Sequence, residues 1–163
     1  FLLSFLCRCK KPVSLIVLFC ASVSNCSIFF FGARCGILDG LVSRGLGEVY
    51  KRPGLCRAAA VGLVTPLRDG MNLVAKEYVV AQDPDNPGVL VLSRFAGAAE
   101  QLKEALLVNP YDPQGMADSI QHALQMPLAE RQAHHQKLMA RIKEHDVHWW
   151  RKAFMDALQA AAD

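Results

Sequence analysis

After Cys56 the sequence contains no further cysteine, so the rest of the 163-residue chain cannot rest on a disulfide framework or a thiolate metal centre. The six cysteines present, Cys7, Cys9, Cys20, Cys26, Cys35 and Cys56, all precede Val61. Neither Cys7-x-Cys9 nor Cys20 with Cys26 has the two-residue gap usual in zinc sites, and both pairs are interleaved with apolar residues rather than loops. Excess charge is scarce too, at +3 overall, but it is unevenly placed. Residues 1–60 carry eight Lys/Arg against two Asp/Glu, and residues 61–163 ten against thirteen, so the two parts sit near +6 and −3. Such a split argues against one uniform surface. No basic surface interleaved with aromatics is signalled, so no nucleic-acid partner is expected. No Ser-His-Asp or Cys-His combination is signalled either. Of the five histidines, His122, His134, His135, His145 and His148, the last two have a chelating spacing. No cysteine or carboxylate cluster completes a ligand set, so they are expected to be surface or packing residues and no metal site is expected.

What the sequence does contain is one organising stretch, VGLVTPLRDGMNLVAKEYVVAQ, residues 61–82. Val61 to Thr65 reads as a buried strand, because a short apolar, β-branched run bounded by turn signals suits a parallel-sheet interior. Pro66, Asp69 and Gly70 then mark a turn. From Asn72, Val74, Tyr78 and Ala81 recur at helical spacing while Lys76 and Glu77 point elsewhere. A helix that starts at the carboxyl end of a strand offers unpaired N–H groups to an anion. Asp69 at the loop tip and Glu77 about two turns into the helix would flank that anion, which suits a ligand with hydroxyls at both ends and phosphates between them, such as a nucleotide sugar. On spacing alone the alternative stays open: Asp69 as a turn or capping residue, and Glu77 as a solvated helix position.

Further on, the turn cluster Asp83-Pro84-Asp85-Asn86-Pro87-Gly88 precedes a second buried strand over Val89–Leu92. Ser93 to Ala99 is a strand-end loop running into a short helix through Leu102, and Leu106–Val108 is a third strand. Asp112 followed by Pro113 is a helix start, for a helix to about Met126. Pro127 opens another to Ile142, and Asp146 caps a last helix whose apolar bulk is Trp149, Trp150, Phe154 and Leu158. The order βαβαβ predicts an α/β fold: a partial Rossmann-like domain with three parallel strands and C-terminal helices.

The string LVTPLRDGMNLVAKEYV, followed by VLVLSRFAGAAEQL, ALLVNPYD and the terminal DVHWWRKAFMDAL, closely resembles the trehalose-6-phosphate synthases, retaining glycosyltransferases of the GT-B fold. The resemblance runs from about Arg57 to about Leu158 and covers the C-terminal part of that family's nucleotide-sugar-binding domain. It implies glucosyl transfer from UDP-glucose to glucose-6-phosphate, giving trehalose-6-phosphate and UDP, with no metal and no cofactor beyond the donor. The family's acidic pair falls on Asp69 and Glu77. By the family pattern Asp69, Gly70 and Met71 face the glucosyl group, with Asp69 the catalytic residue that holds the sugar hydroxyls. Asn72 and Leu73 reach the diphosphate through backbone amides, Val74 lies beside them, and Glu77 holds the ribose. Two departures stand out: Ala60 replaces a usual Asp, and the Arg/Lys pair expected at the diphosphate has no counterpart. The family's acceptor-binding domain and its Gly-rich loop also have none, so the chain by itself is expected to be an inactive fragment. A non-catalytic nucleotide-sugar-binding or regulatory remnant, membrane-tethered in one version, is the alternative.

Residues 1–56 form a separate apolar, cysteine-rich segment, and residues 57–163 the family-like unit. Lys10 and Lys11 precede about twenty mostly apolar residues, long enough for a bilayer span over residues 12–32. Three origins are open for this segment: a true anchor, translation outside the family's reading frame, or an unusual buried stretch. The main expectation is a cytoplasmic protein, with a single-pass membrane protein as the alternative and membrane contact only if residues 12–32 are a real span. A homo-oligomer is left open. Leu38–Arg57 gives only loose helix or loop.

Overall fold

The computed structural model describes residues 14–20, 26–32 and 56–161. Its centre is a five-stranded sheet: β1 (Ser14–Cys20), β2 (Cys26–Gly32), β3 (Val61–Val64), β4 (Val89–Ser93) and β5 (Leu106–Val108), in spatial order β2-β1-β3-β4-β5. β1, β3, β4 and β5 run parallel, and β2 closes one edge antiparallel to β1. The three strands expected after Val61 are all present. Of the residues 12–32 offered as a span, Ser14–Cys20 and Cys26–Gly32 are two separate strands, with Ser14 opposite Gly32 and Cys20 opposite Cys26, and the rest lie outside the described residues. The residue types account for this, since Ile16, Val17, Phe19, Ile28, Phe29, Phe30 and Phe31 are β-branched or aromatic and favour a pleated strand. β1 then joins the family-like unit through Leu15 to Leu18, which pair with Val61 to Val64. Among the described residues no helix is long and apolar enough to cross a membrane. Most of the loose Leu38–Arg57 stretch lies outside the described residues, and residues 56–58 are helical.

Both faces of β3 and β4 are covered, which is why these two strands read as unbroken apolar runs. Alternation along the strands sends Val64, Leu90 and Leu92 to one face, where they meet Ala75, Tyr78 and Val79 of α1 (Leu73–Ala81) and Leu138 of α3 (Leu128–Glu144). Val61, Leu63, Val89 and Val91 go to the other face, against Ile120, Ala123 and Met126 on and just after α2 (Pro113–Gln125). A short 3-10 turn, Gly97–Glu100, bridges β4 toward β5. The caps expected from sequence are made: Asp112 accepts from Gly115 N–H and Asp146 from Trp149 N–H. α3 is moored to the first layer by polar contacts. His135 bonds the Val79 carbonyl at 3.1 Å, His134 bonds the Glu104 carbonyl at 2.6 Å, and Arg131 donates to the Pro87 carbonyl at 2.6 Å. His145 bonds the Arg141 carbonyl and sets its ring edge-on to Trp149. These three histidines therefore pack or brace helices.

Tyr78 is the pin that fixes α1 on the sheet. It is 1% exposed, and its hydroxyl donates to the Ala59 carbonyl at 3.1 Å. Burial pushes its phenol well above the ordinary tyrosine range, so it stays a neutral donor. Its ring lies on Gly62, where a Cβ would come within 2.7 Å of ring carbons. Tyr78→Phe leaves that carbonyl without its donor and is expected to cost about 1 kcal/mol. Gly62→Ala forces the ring aside in a packed core and is expected to cost about 1–3 kcal/mol. Urea denaturation followed by far-ultraviolet circular dichroism checks both. A Gly62→Ala midpoint equal to that of the unsubstituted chain would contradict the packing described.

The last helix, α4 (Val147–Ala160), has no buried residue among those described. Trp150 stacks on Phe154 with ring centroids 5.4 Å apart, yet the two are 58% and 54% exposed. The apolar bulk expected there is thus present and uncovered.

Candidate functional site

The carboxyl ends of β3 and β4 bring together the loop of residues 65–72, the N-terminus of α1 and the loop of residues 94–97. Asp69 is half-buried at the turn. Its Oδ1 accepts from the Met71 N–H at 3.0 Å and its Oδ2 from the Asn72 side-chain amide at 2.9 Å. An ionised carboxylate has about four acceptor sites, so two remain for hydroxyls arriving from outside.

Asn72 makes the turn from loop to helix. It is 4% exposed, sits at φ 66 in the left-handed region that Asn tolerates, and accepts the Ala75 N–H on its side-chain oxygen at 3.0 Å. The cap of α1 is therefore Asn72, with Asp69 one step further out, bracing it. The N–H groups of Leu73 and Val74 lie in the first helical turn, where donors have no intrahelical partner, and add their share of the helix dipole. Gly70 is exposed, and a Cβ there would meet nothing within 4 Å. Met71 and Leu73 are exposed by 61% and 56%, and Val74 is half-buried.

Glu77 is exposed and lies on the same helix face as Leu73, four residues earlier, away from the buried Ala75, Tyr78 and Val79. Asp69 thus precedes the open first turn of α1, and Glu77 follows on the solvent side of the same helix. Arg68 is exposed beside them. Among the described residues no group of three His, Cys, Asp or Glu could hold a metal ion.

The strand-end loop after β4 is where the sequence places it, but its contact with Asp69 is not legible there. Asp69 forms an isolated parallel bridge with Ala96: its N–H donates to the Phe95 carbonyl at 3.4 Å, and its carbonyl accepts from the Gly97 N–H at 2.8 Å. Phe95 in turn packs edge-on to Tyr111 from the loop after β5, with centroids 5.9 Å apart. The one signal available beforehand was a glycine just past a buried strand. Thr65, at the end of β3, is buried with its hydroxyl unpaired among the described residues.

Residues 49–160 match the model of glycosyltransferase family 20. The trehalose-6-phosphate synthase of Klebsiella pneumoniae is 63% identical over 103 residues, which are 63% of this chain and 22% of that protein. A crystal structure of an alpha,alpha-trehalose-phosphate synthase (UDP-forming) from Burkholderia xenovorans, in complex with glucose-6-phosphate, superposes with a TM-score of 0.70 at 57% identity, covering 78% of this chain and 28% of that one. An E. coli structure with UDP-2-fluoro glucose bound gives a TM-score of 0.68 at 47% identity, covering 77% and 28%. The chain spans about a quarter of the length of the relatives it matches. With the family match extending over more than two thirds of its residues, and with the parallel sheet and helices of its solved relatives, the chain belongs to glycosyltransferase family 20.

Proposed function

We propose that residues 57–163 supply the nucleotide-sugar side of a trehalose-6-phosphate synthase site, which moves a glucosyl group from UDP-glucose to glucose-6-phosphate with retention at the anomeric carbon. The observation that carries this reading is the half-buried Asp69 carboxylate braced just before the open first turn of α1, with the exposed Glu77 further along the solvent side of that helix. The two acceptor sites left on Asp69 would take sugar hydroxyls, with Gly70 and Met71 bordering the sugar. The Asn72 and Leu73 amides, with Val74 beside them, would face the diphosphate and stabilise charge developing on the departing UDP. Glu77 would accept the ribose hydroxyls. The relatives with glucose-6-phosphate and with UDP-2-fluoro glucose bound support these substrate classes. In this reading the catalysis is positional and electrostatic and is carried by side chains and amides. The protein acts in the cytoplasm.

A hybrid enzyme tests it: residues 57–160 replace the matching stretch of the Klebsiella relative, and UDP release is followed with and without glucose-6-phosphate. The hybrid is expected to turn over only when glucose-6-phosphate is present. The 163-residue polypeptide alone is expected to show no turnover. A folded hybrid that binds UDP but never turns over would favour a non-catalytic nucleotide-sugar-binding remnant.

A further inference from the structure

We propose that Gly97 is a positioning residue for Asp69, acting through the Gly70–Met71 peptide; this rests on the donor-site reading above. Two loops approach here backbone to backbone. A Cβ added at Gly97 would collide with the Gly70 carbonyl oxygen, lie 2.6 Å from the Gly70 carbonyl carbon and 3.1 Å from the Met71 nitrogen. None of these atoms belongs to a side chain that could swing away, so one of the two main chains must move: the Gly70–Met71 peptide, or Gly97 with its bond to Asp69. That peptide carries the Met71 N–H that holds Asp69 Oδ1 at 3.0 Å. The Gly97 N–H meanwhile fixes the Asp69 backbone by donating to its carbonyl at 2.8 Å. One glycine therefore sets both the main chain and one carboxylate oxygen of Asp69.

The loop that carries Gly97 is itself held. Ser93 is fully buried, and its hydroxyl accepts the Phe95 N–H at 3.1 Å. Ser93→Ala is accordingly a milder change that loosens the same loop without adding bulk.

Displacing the Gly70–Met71 peptide leaves the Asp69 carboxylate held by Asn72 alone, free to turn away from the sugar, while Glu77 stays in place. In the hybrid enzyme Gly97→Ala is expected to lower kcat on the order of tenfold, with less than a threefold change in UDP affinity by calorimetry. Ser93→Ala should act in the same direction with a smaller effect. Tyr78→Phe serves as the stability control: it should lower the denaturation midpoint and leave kcat of the folded enzyme unchanged. The second readout needs no turnover. In amide NMR spectra of the 163-residue chain, Gly97→Ala should shift the Gly70 and Met71 resonances while those of α2 stay put. Unmoved Gly70 and Met71 resonances, or equal losses of kcat and UDP affinity in the hybrid, would overturn the positioning role. An inactive unsubstituted hybrid would instead count against the synthase reading, and the NMR result would still decide the role of Gly97.

Discussion

Asp69→Asn in the hybrid enzyme is expected to reduce kcat by about a hundredfold, within the range for loss of a preorganised polar contact at a reacting centre, and to leave UDP affinity nearly unchanged. The amide keeps the shape of the carboxylate but turns one of its oxygens into a donor. The Met71 N–H and the Asn72 side-chain amide already occupy one site on each oxygen. In the variant one of these two donors faces another donor, and the capacity left for sugar hydroxyls falls with the charge. In the proposed arrangement UDP meets the first-turn amides of α1 and Glu77 rather than the Asp69 carboxylate, so its binding should not register the change. Single-turnover kinetics with UDP-glucose, alongside calorimetry with UDP, separates the two effects. A parallel loss of both would return Asp69 to the role of a turn-bracing residue.

Glu77→Gln should have the converse profile, weakening UDP and UDP-glucose alike by about ten- to a hundredfold. A hydrogen bond to a charged acceptor contributes on the order of 1.5–3 kcal/mol, which corresponds to that range. Glu77 is solvent-exposed and lies off the buried face of α1, so the substitution should leave the fold intact and the loss should be one of binding alone. Calorimetric titration of the variant hybrid with UDP gives the answer. Unchanged UDP affinity would make Glu77 an ordinary solvated helix residue.

The parts of the fold legible in the sequence were those fixed by local pattern. Val61–Val64 and Val89–Ser93 are buried on both faces, so each appears as an unbroken apolar run with a turn signal at its end. Asp112 and Asp146 cap their helices through bonds that span three residues, which sequence spacing describes directly. The Asp69 loop was legible as a turn, but the division of labour within it was not. Asn72, rather than Asp69, closes the helix, because its side-chain oxygen reaches the free Ala75 N–H of the first turn while the Asp69 carboxylate is taken up by Met71 and Asn72 ahead of it.

Contacts between distant segments left weaker marks. The approach of Gly97 to Gly70 is made by main-chain atoms, so its trace in the sequence is two glycines with nothing to connect them. The apolar stretch over residues 12–32 has no periodicity that separates a span from a pair of strands, and its pairing partner Val61–Val64 lies far along the chain. The tryptophans of α4 were legible as apolar bulk. Their exposure is a property of what packs on the helix rather than of the helix itself.

The central claim, that the α1 N-terminus and its flanking acids hold a nucleotide sugar, is tested most directly by a crystal structure of the hybrid enzyme with UDP-2-fluoro glucose bound. The account predicts the glucosyl hydroxyls on the Asp69 carboxylate, the diphosphate against the Asn72 and Leu73 amides, and the ribose hydroxyls on Glu77. A nucleotide sugar bound with its diphosphate away from α1, or with Glu77 free in solvent, would contradict it.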